Sequence, residues 1–140
     1  MANFRRCFEP ILKTEAGYTI DSGGETWRGV SRKFFPHWDG WGLVDNAKKH
    51  PGWLAENYTR CTQILEKVDF LEDKVLAFYK KEFWDKVGGD SISDNSVAVM
   101  LADAAVNEGI VPAIKRAQSI MGLPETGVSN QLLISKLNSL

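Results

Sequence analysis

The sequence predicts a mainly α-helical domain that carries one small β-hairpin. Apolar residues recur at helical spacing in several separate stretches, whereas residues 18–28 place β-branched and aromatic side chains on either side of a glycine-rich turn. With 140 residues and 44% hydrophobic content, the chain can bury a core unaided, and a monomer is expected. Charge is balanced, 17 basic against 18 acidic residues, which implies no general attraction to nucleic acid and no stable membrane association. Residues 1–6 lead into no uninterrupted apolar run, so neither a signal peptide nor a transmembrane helix is expected, and the product is expected to be cytoplasmic as synthesised.

Taken in order, Phe4, Cys7, Phe8, Ile11 and Leu12 follow the i, i+3, i+4 rhythm of a helix face, and Glu15 is the next member of the series. A carboxylate at the end of a core-facing stripe is partly desolvated, which moves its pKa toward the range a general acid needs. A Glu escaping to solvent as the helix ends at Gly17 is the alternative, and periodicity leaves both open. Pro10 removes a hydrogen bond, so the helix is expected either to kink there or to begin late.

Tyr18-Thr19-Ile20 and Thr26-Trp27-Arg28 then flank the turn chemistry of residues 21–25, giving the hairpin. Gly23 and Gly24 permit positive φ and close backbone approach, so a ligand chain can lie against the turn. The order Glu15, Asp21, Thr26 across a short hairpin is the most specific chemical signal in the chain, and Glu25 is read as a turn residue. Ser31 is expected to cap a short helix through Phe35 that Pro36 ends, followed by an aromatic loop over residues 36–42. Trp38 and Trp41 are assigned there to covering the core, with stacking on sugar rings as the other use of these aromatics.

From Trp53 the pattern is helical again. Leu54, Tyr58, Cys61, Ile64, Leu65 and Val68 form one stripe; Leu71, Val75, Phe78, Tyr79, Glu82 and Phe83 form a second that ends at Gly88 and Gly89. Two helices or one bent helix fit equally, with an interior aromatic cluster over residues 78–85. After the polar break at residues 90–94, residues 96–107 read as a nearly all-apolar helix, ended by Gly109 and buried on most sides. Asp103 and Asn107 share one face of it, and as a buried pair they would need hydrogen-bond partners. Pro112 opens a helix reaching Met121, and Ser129 caps a last one containing Leu132, Leu133 and Leu137. Cys7 and Cys61 lack metal-type spacing, and Cys7 reads as a buried free thiol; His37 and His50 are isolated. No His-Glu-x-x-His pair or Cys/His cluster occurs in the sequence, which argues against a zinc peptidase or amidase, so no metal and no cofactor are called for.

Glu15-Ala16-Gly17-Tyr18, then Asp21, Gly23-Gly24, Thr26 and Gly29-Val30-Ser31, resemble the E-G-G-Y…D-x-G-G-x-T-x-x-G-[IV]-[TS] signature of glycoside hydrolase family 108, the lysozyme-like N-acetylmuramidases that include phage and prophage endolysins. Ala16 stands where glycine is usual, and the segment between Tyr18 and Gly23 is shorter than in many members. Residues 103–109 and 117–123 are similar to the peptidoglycan-binding segment that follows in the same family, with Ala117 in place of its leucine and Glu125-Thr126-Gly127 where Asp-Gly is usual. The resemblance implies a lysozyme-like fold, with a catalytic part over residues 1–90 and a helical peptidoglycan-binding-like segment over 91–140, packed into one unit. It further implies a peptidoglycan hydrolase that cleaves the β-1,4 bond between N-acetylmuramic acid and N-acetylglucosamine. Glu15 would be the general acid, with Asp21 as base or electrostatic stabiliser and Thr26 positioning a water. Tyr18, Gly23, Gly24 and Trp27 would line the glycan strand. Such a protein reaches the wall through a holin, lysis or an exporter. A lytic transglycosylase, and a non-catalytic wall-binding or secretion-related interaction protein, are the alternative readings.

Overall fold

The computed structural model describes residues 2–14 and 17–140, the side chains of residues 13 and 14 excepted. Glu15 and Ala16 therefore lie outside the described residues. The fold is mainly α with a three-stranded antiparallel sheet, as the sequence predicts. The chain forms two compact units, one of Leu12–Phe78 and one of Met1–Ile11 with Tyr79–Leu140.

Helix α1 (Phe4–Thr14) contributes most of its length to the second of these units. The Asn3 side chain accepts from the Arg6 N–H at 3.0 Å and caps it, and Cys7, Phe8 and Ile11 are buried as their spacing predicts. Despite Pro10 the helix does not begin late. Pro10, its neighbour Glu9 and Arg6, whose carbonyl loses its donor, all lie on the exposed face, where water can satisfy that carbonyl.

α4 (Leu71–Tyr79), which belongs to the Leu12–Phe78 unit up to its last residue, continues through a widened π-type turn, Lys80–Trp84, into α5 (Asp85–Val87), which Gly88 ends in the left-handed region at φ 77°. In a regular α-helix Tyr79 and Trp84, five residues apart, would diverge. The wide turn brings both into one aromatic cluster, Tyr79 against Phe8 at 5.7 Å and Trp84 against Phe4 and Phe8 at 5.5 and 6.0 Å.

Asp94 caps α6 (Asn95–Glu108) by accepting from the Ser96 and Val97 N–H groups, and Gly109 ends it at φ 96°. The helix is not buried on most sides. Ala98, Leu101, Ala102 and Ala105 form its buried face, whereas Met100 is 73% exposed and Asp103 and Asn107 are exposed, so these two are not a buried polar pair. Helix α7 (Ile110–Ile120) begins before Pro112, which sits in the first turn, where its missing N–H has no helical partner to lose. The cap of α8 (Gln131–Asn138) is Asn130; Ser129 instead donates to the Val87 carbonyl at 2.7 Å. Gln118, fully buried, holds the α7–α8 loop: its Nε2 donates to Thr126 Oγ1 and the Val128 carbonyl, and its Oε1 accepts from Gly127.

The other unit holds the sheet, β1 (Thr19–Asp21), β2 (Gly24–Trp27) and β3 (Val30–Ser31), together with α2 (Gly40–Ala47) and α3 (Tyr58–Glu66). The expected hairpin is thus extended by a third strand. Ser31 pairs with Thr26 in that strand rather than capping a helix, and residues 32–34 form a turn. The expected aromatic loop also ends early, because α2 already starts at Gly40. Glycine there is a packing requirement, since a Cβ would overlap the Trp38 ring. Trp41 is buried and donates to the Phe35 carbonyl at 2.9 Å, while half-buried Trp38 donates to the Lys74 carbonyl at 3.2 Å. Both cover the core as assigned. α3 starts at Tyr58, capped by Asn57, and leaves Leu54 exposed.

Candidate active site on the hairpin

Strand register decides which side chains can act together. In the β1–β2 ladder Thr19 faces Thr26 and Asp21 faces Gly24; across β2–β3 Thr26 faces Ser31. Side chains alternate along a strand, so Thr19, Asp21, Thr26 and Ser31 share one polar face. The hydroxyls of Thr19 and Thr26 lie 2.8 Å apart, and Asp21 Oδ1 accepts from the Gly23 N–H at 2.7 Å, which closes the turn. Asp21 is exposed, while Thr19, Thr26 and Ser31 are half-buried. The structure thus brings Asp21 and Thr26 onto one face, with Gly23 and Gly24 at its tip; Gly24 has φ 98°. Glu15, the third of the set, falls outside the described residues.

The opposite face is anchored, and here the structure shows what sequence reasoning passed over. Glu25, read as a turn residue, is a strand residue whose side chain is only 11% exposed. Its carboxylate accepts from the Tyr18 hydroxyl and pairs with Arg32 at 2.8 Å and Lys48 at 2.7 Å. Arg32 in turn makes a two-pronged pair with Asp45 at 2.7 and 2.8 Å, and Lys48 reaches Asp45 at 3.2 Å. Burial alone would raise the Glu25 pKa, but hydrogen bonds from Lys48, Tyr18 and Arg32 outweigh it and hold the group below its ordinary value. Asp45 is held down at about 2, chiefly by Arg32. Burial first, then the Glu25 carboxylate, pushes the Tyr18 hydroxyl upward. Glu25 is therefore a fixed anion, committed to three partners. The alternation that buries Trp27 also points Glu25 inward, and that is the signal the sequence offered.

Tyr18 and Trp27, nominated to line a glycan, are core residues, 2% and 1% exposed. Tyr18 packs edge-on against Trp53 at 5.2 Å, so neither ring offers an open stacking face in this conformation. A second clamp comes from α3, where Tyr58, Thr62 and Glu66 recur every four residues. Tyr58 donates to the Ile20 carbonyl at 3.0 Å, Thr62 accepts from the Tyr18 N–H at 2.9 Å, and Glu66 pairs with Arg28 at 3.7 Å. Gly17 is needed at the entry to β1, because a Cβ there would overlap the Thr62 side chain.

Among the described residues no cluster of His, Cys, Asp and Glu is arranged to hold a metal ion, and no helix is long and apolar enough to cross a membrane. Both cysteines are buried free thiols whose pKa burial pushes upward.

A search of curated proteins returned no match. Among solved structures the chain is similar to Brucella abortus SagA, with 20% identity and a TM-score of 0.58 over 98% of this chain and 69% of that one, a likeness of fold. The profile of the family described as glycosyl hydrolase 108 matches residues 8–109, which include the whole sheet and both of its clamps. The chain belongs to the glycosyl hydrolase 108 family.

Proposed function

We propose that this protein is a peptidoglycan hydrolase, an N-acetylmuramidase that cleaves the β-1,4 bond between N-acetylmuramic acid and N-acetylglucosamine. The observation that carries the reading is the shared polar face of Asp21 and Thr26, held from behind by Glu25 and α3. Glu15 protonates the leaving glycosidic oxygen as an oxocarbenium-like centre develops on the muramic acid ring. The Thr19–Thr26 hydroxyl pair shares one proton, which leaves a second proton and several lone pairs to hold a water. Asp21 spends Oδ1 on the turn and keeps Oδ2 to accept the proton of that water or to stabilise the cation. This division of labour suits inversion. Tyr18 and Trp27 act from the core, supporting the strands that present this face, and Gly23 and Gly24 let the glycan approach the turn.

The test is the clearing of purified sacculi by wild type and Glu15→Gln. Loss of clearing in a variant with an unchanged circular dichroism spectrum and retained sacculus binding supports the reading. Unchanged clearing refutes Glu15 as the acid, and wild-type binding without release of reducing ends identifies a wall-binding module instead.

A further inference from the structure

Between the C-terminal end of α2 and α3 lies an open groove of about 900 Å³, on the unit that carries the hairpin. Among the described residues Lys49, His50, Arg60 and Lys67 line it, joined by Gln63 and one acid, Glu66. Glu66 is engaged by Arg28 at 3.7 Å, whereas Lys49, Arg60 and Lys67 have no ion pair among the described residues. In a chain of net charge −1 this is a local concentration of uncompensated cations.

Two of these groups are positioned rather than merely exposed. Gly52 donates its N–H to His50 Nδ1 at 2.9 Å, which leaves the proton of the neutral imidazole on Nε2. Arg60 Nε donates to the Gly52 carbonyl at 3.3 Å. Arg60 Nη2 and His50 Nδ1 both lie close to the Gly52 Cα, where a Cβ would meet them at 2.5 and 3.1 Å, so guanidinium and imidazole converge on one backbone segment.

We infer that this groove is a binding site for anionic groups, carboxylate or phosphate, carried on a glycan segment. The described lining supplies hydrogen-bond donors and positive charge beside the aliphatic Ala47, Ile64 and Val68, and it has no Phe, Tyr or Trp, so it recognises anions rather than sugar faces. Its volume is in the range of ligand-sized sites, far more than one inorganic anion fills. The glycan character of the ligand rests on the wall-hydrolase reading; its anionic character does not.

The experiment is a backbone-amide NMR titration of Glu15→Gln, so that binding is read without turnover, with three soluble probes: a carboxylate-bearing muropeptide, oligomeric glycerol phosphate and neutral chitotetraose. The expected result is salt-sensitive shifts at residues 49–52 and 60–67 with at least one anionic probe, which names the source of the anion, and none there with chitotetraose. Affinity should fall about tenfold in Arg60→Gln and in Lys49→Ala/Lys67→Ala. Shifts with neither anionic probe, equal shifts with chitotetraose, or unaltered affinity in both variants would overturn the assignment. Clearing of sacculi is a separate readout, so failure here leaves the hydrolase reading standing, and the reverse holds as well.

Discussion

Replacing Glu25 by glutamine removes the charge from a carboxylate that is 11% exposed and engaged by Arg32, Lys48 and the Tyr18 hydroxyl. A hydrogen bond to a charged group contributes about 1.5–3 kcal/mol. Arg32 and Lys48 are 35% and 34% exposed and keep Asp45, so solvent screening discounts their share, and the amide retains one acceptor. The expected net loss is about 2 kcal/mol, roughly 6 °C in Tm for a chain of this size. The sign with pH follows from the depressed carboxylates. Glu25 and Asp45 lie below their ordinary values of 4.5 and 3.8 in the folded state, Asp45 at about 2. Their stabilisation is complete above the ordinary values and is lost as pH falls through the folded ones. In urea denaturation the gap between wild type and Glu25→Gln should therefore be widest near neutrality and narrow progressively below pH 4.5. A variant as stable as wild type at neutral pH, or a gap that does not change with acid, would refute the assignment of Glu25 as the anchor of the hairpin.

Asp21→Asn keeps an acceptor for the Gly23 N–H, so stability should stay within about 0.5 kcal/mol while sacculus cleavage falls by roughly a hundredfold or more. A comparable drop in both would mean that Asp21 only builds the turn. Gly17→Ala should cost about 1–3 kcal/mol in chemical denaturation, because the new methyl displaces the Thr62 hydroxyl that accepts from Tyr18. Thiol-reagent kinetics should show Cys7 and Cys61 protected in the native protein and fully reactive in denaturant, since both are buried with raised pKa values.

Where side-chain pattern and burial coincide, the sequence was a good guide. The stripe Cys7, Phe8, Ile11, Leu12 specifies α1, and the Gly-rich turn between β-branched residues specifies the hairpin. The match of residues 8–109 agrees with the family resemblance carried by the hairpin motif. Two kinds of position misled. Alanine-rich α6 looks apolar all round because alanine counts as hydrophobic while being indifferent to exposure, which hid the exposed face of Met100, Asp103 and Asn107. Gly40 looks like a loop residue because its reason for being glycine is the Trp38 ring, a tertiary contact no local propensity encodes. Glu25 was passed over for a related reason. A charged residue beside a turn reads as solvated until Arg32 and Lys48, seven and twenty-three positions away, are seen to enclose it.

The central claim, hydrolysis of the glycan strand by water held at the Asp21–Thr26 face, is tested most directly by digesting sacculi in heavy-oxygen water and analysing the released fragments by mass spectrometry. The expected products are reducing-end muropeptides that carry the heavy oxygen at the newly formed hydroxyl. Unlabelled anhydro-muramic products, or no released fragments, would contradict that claim.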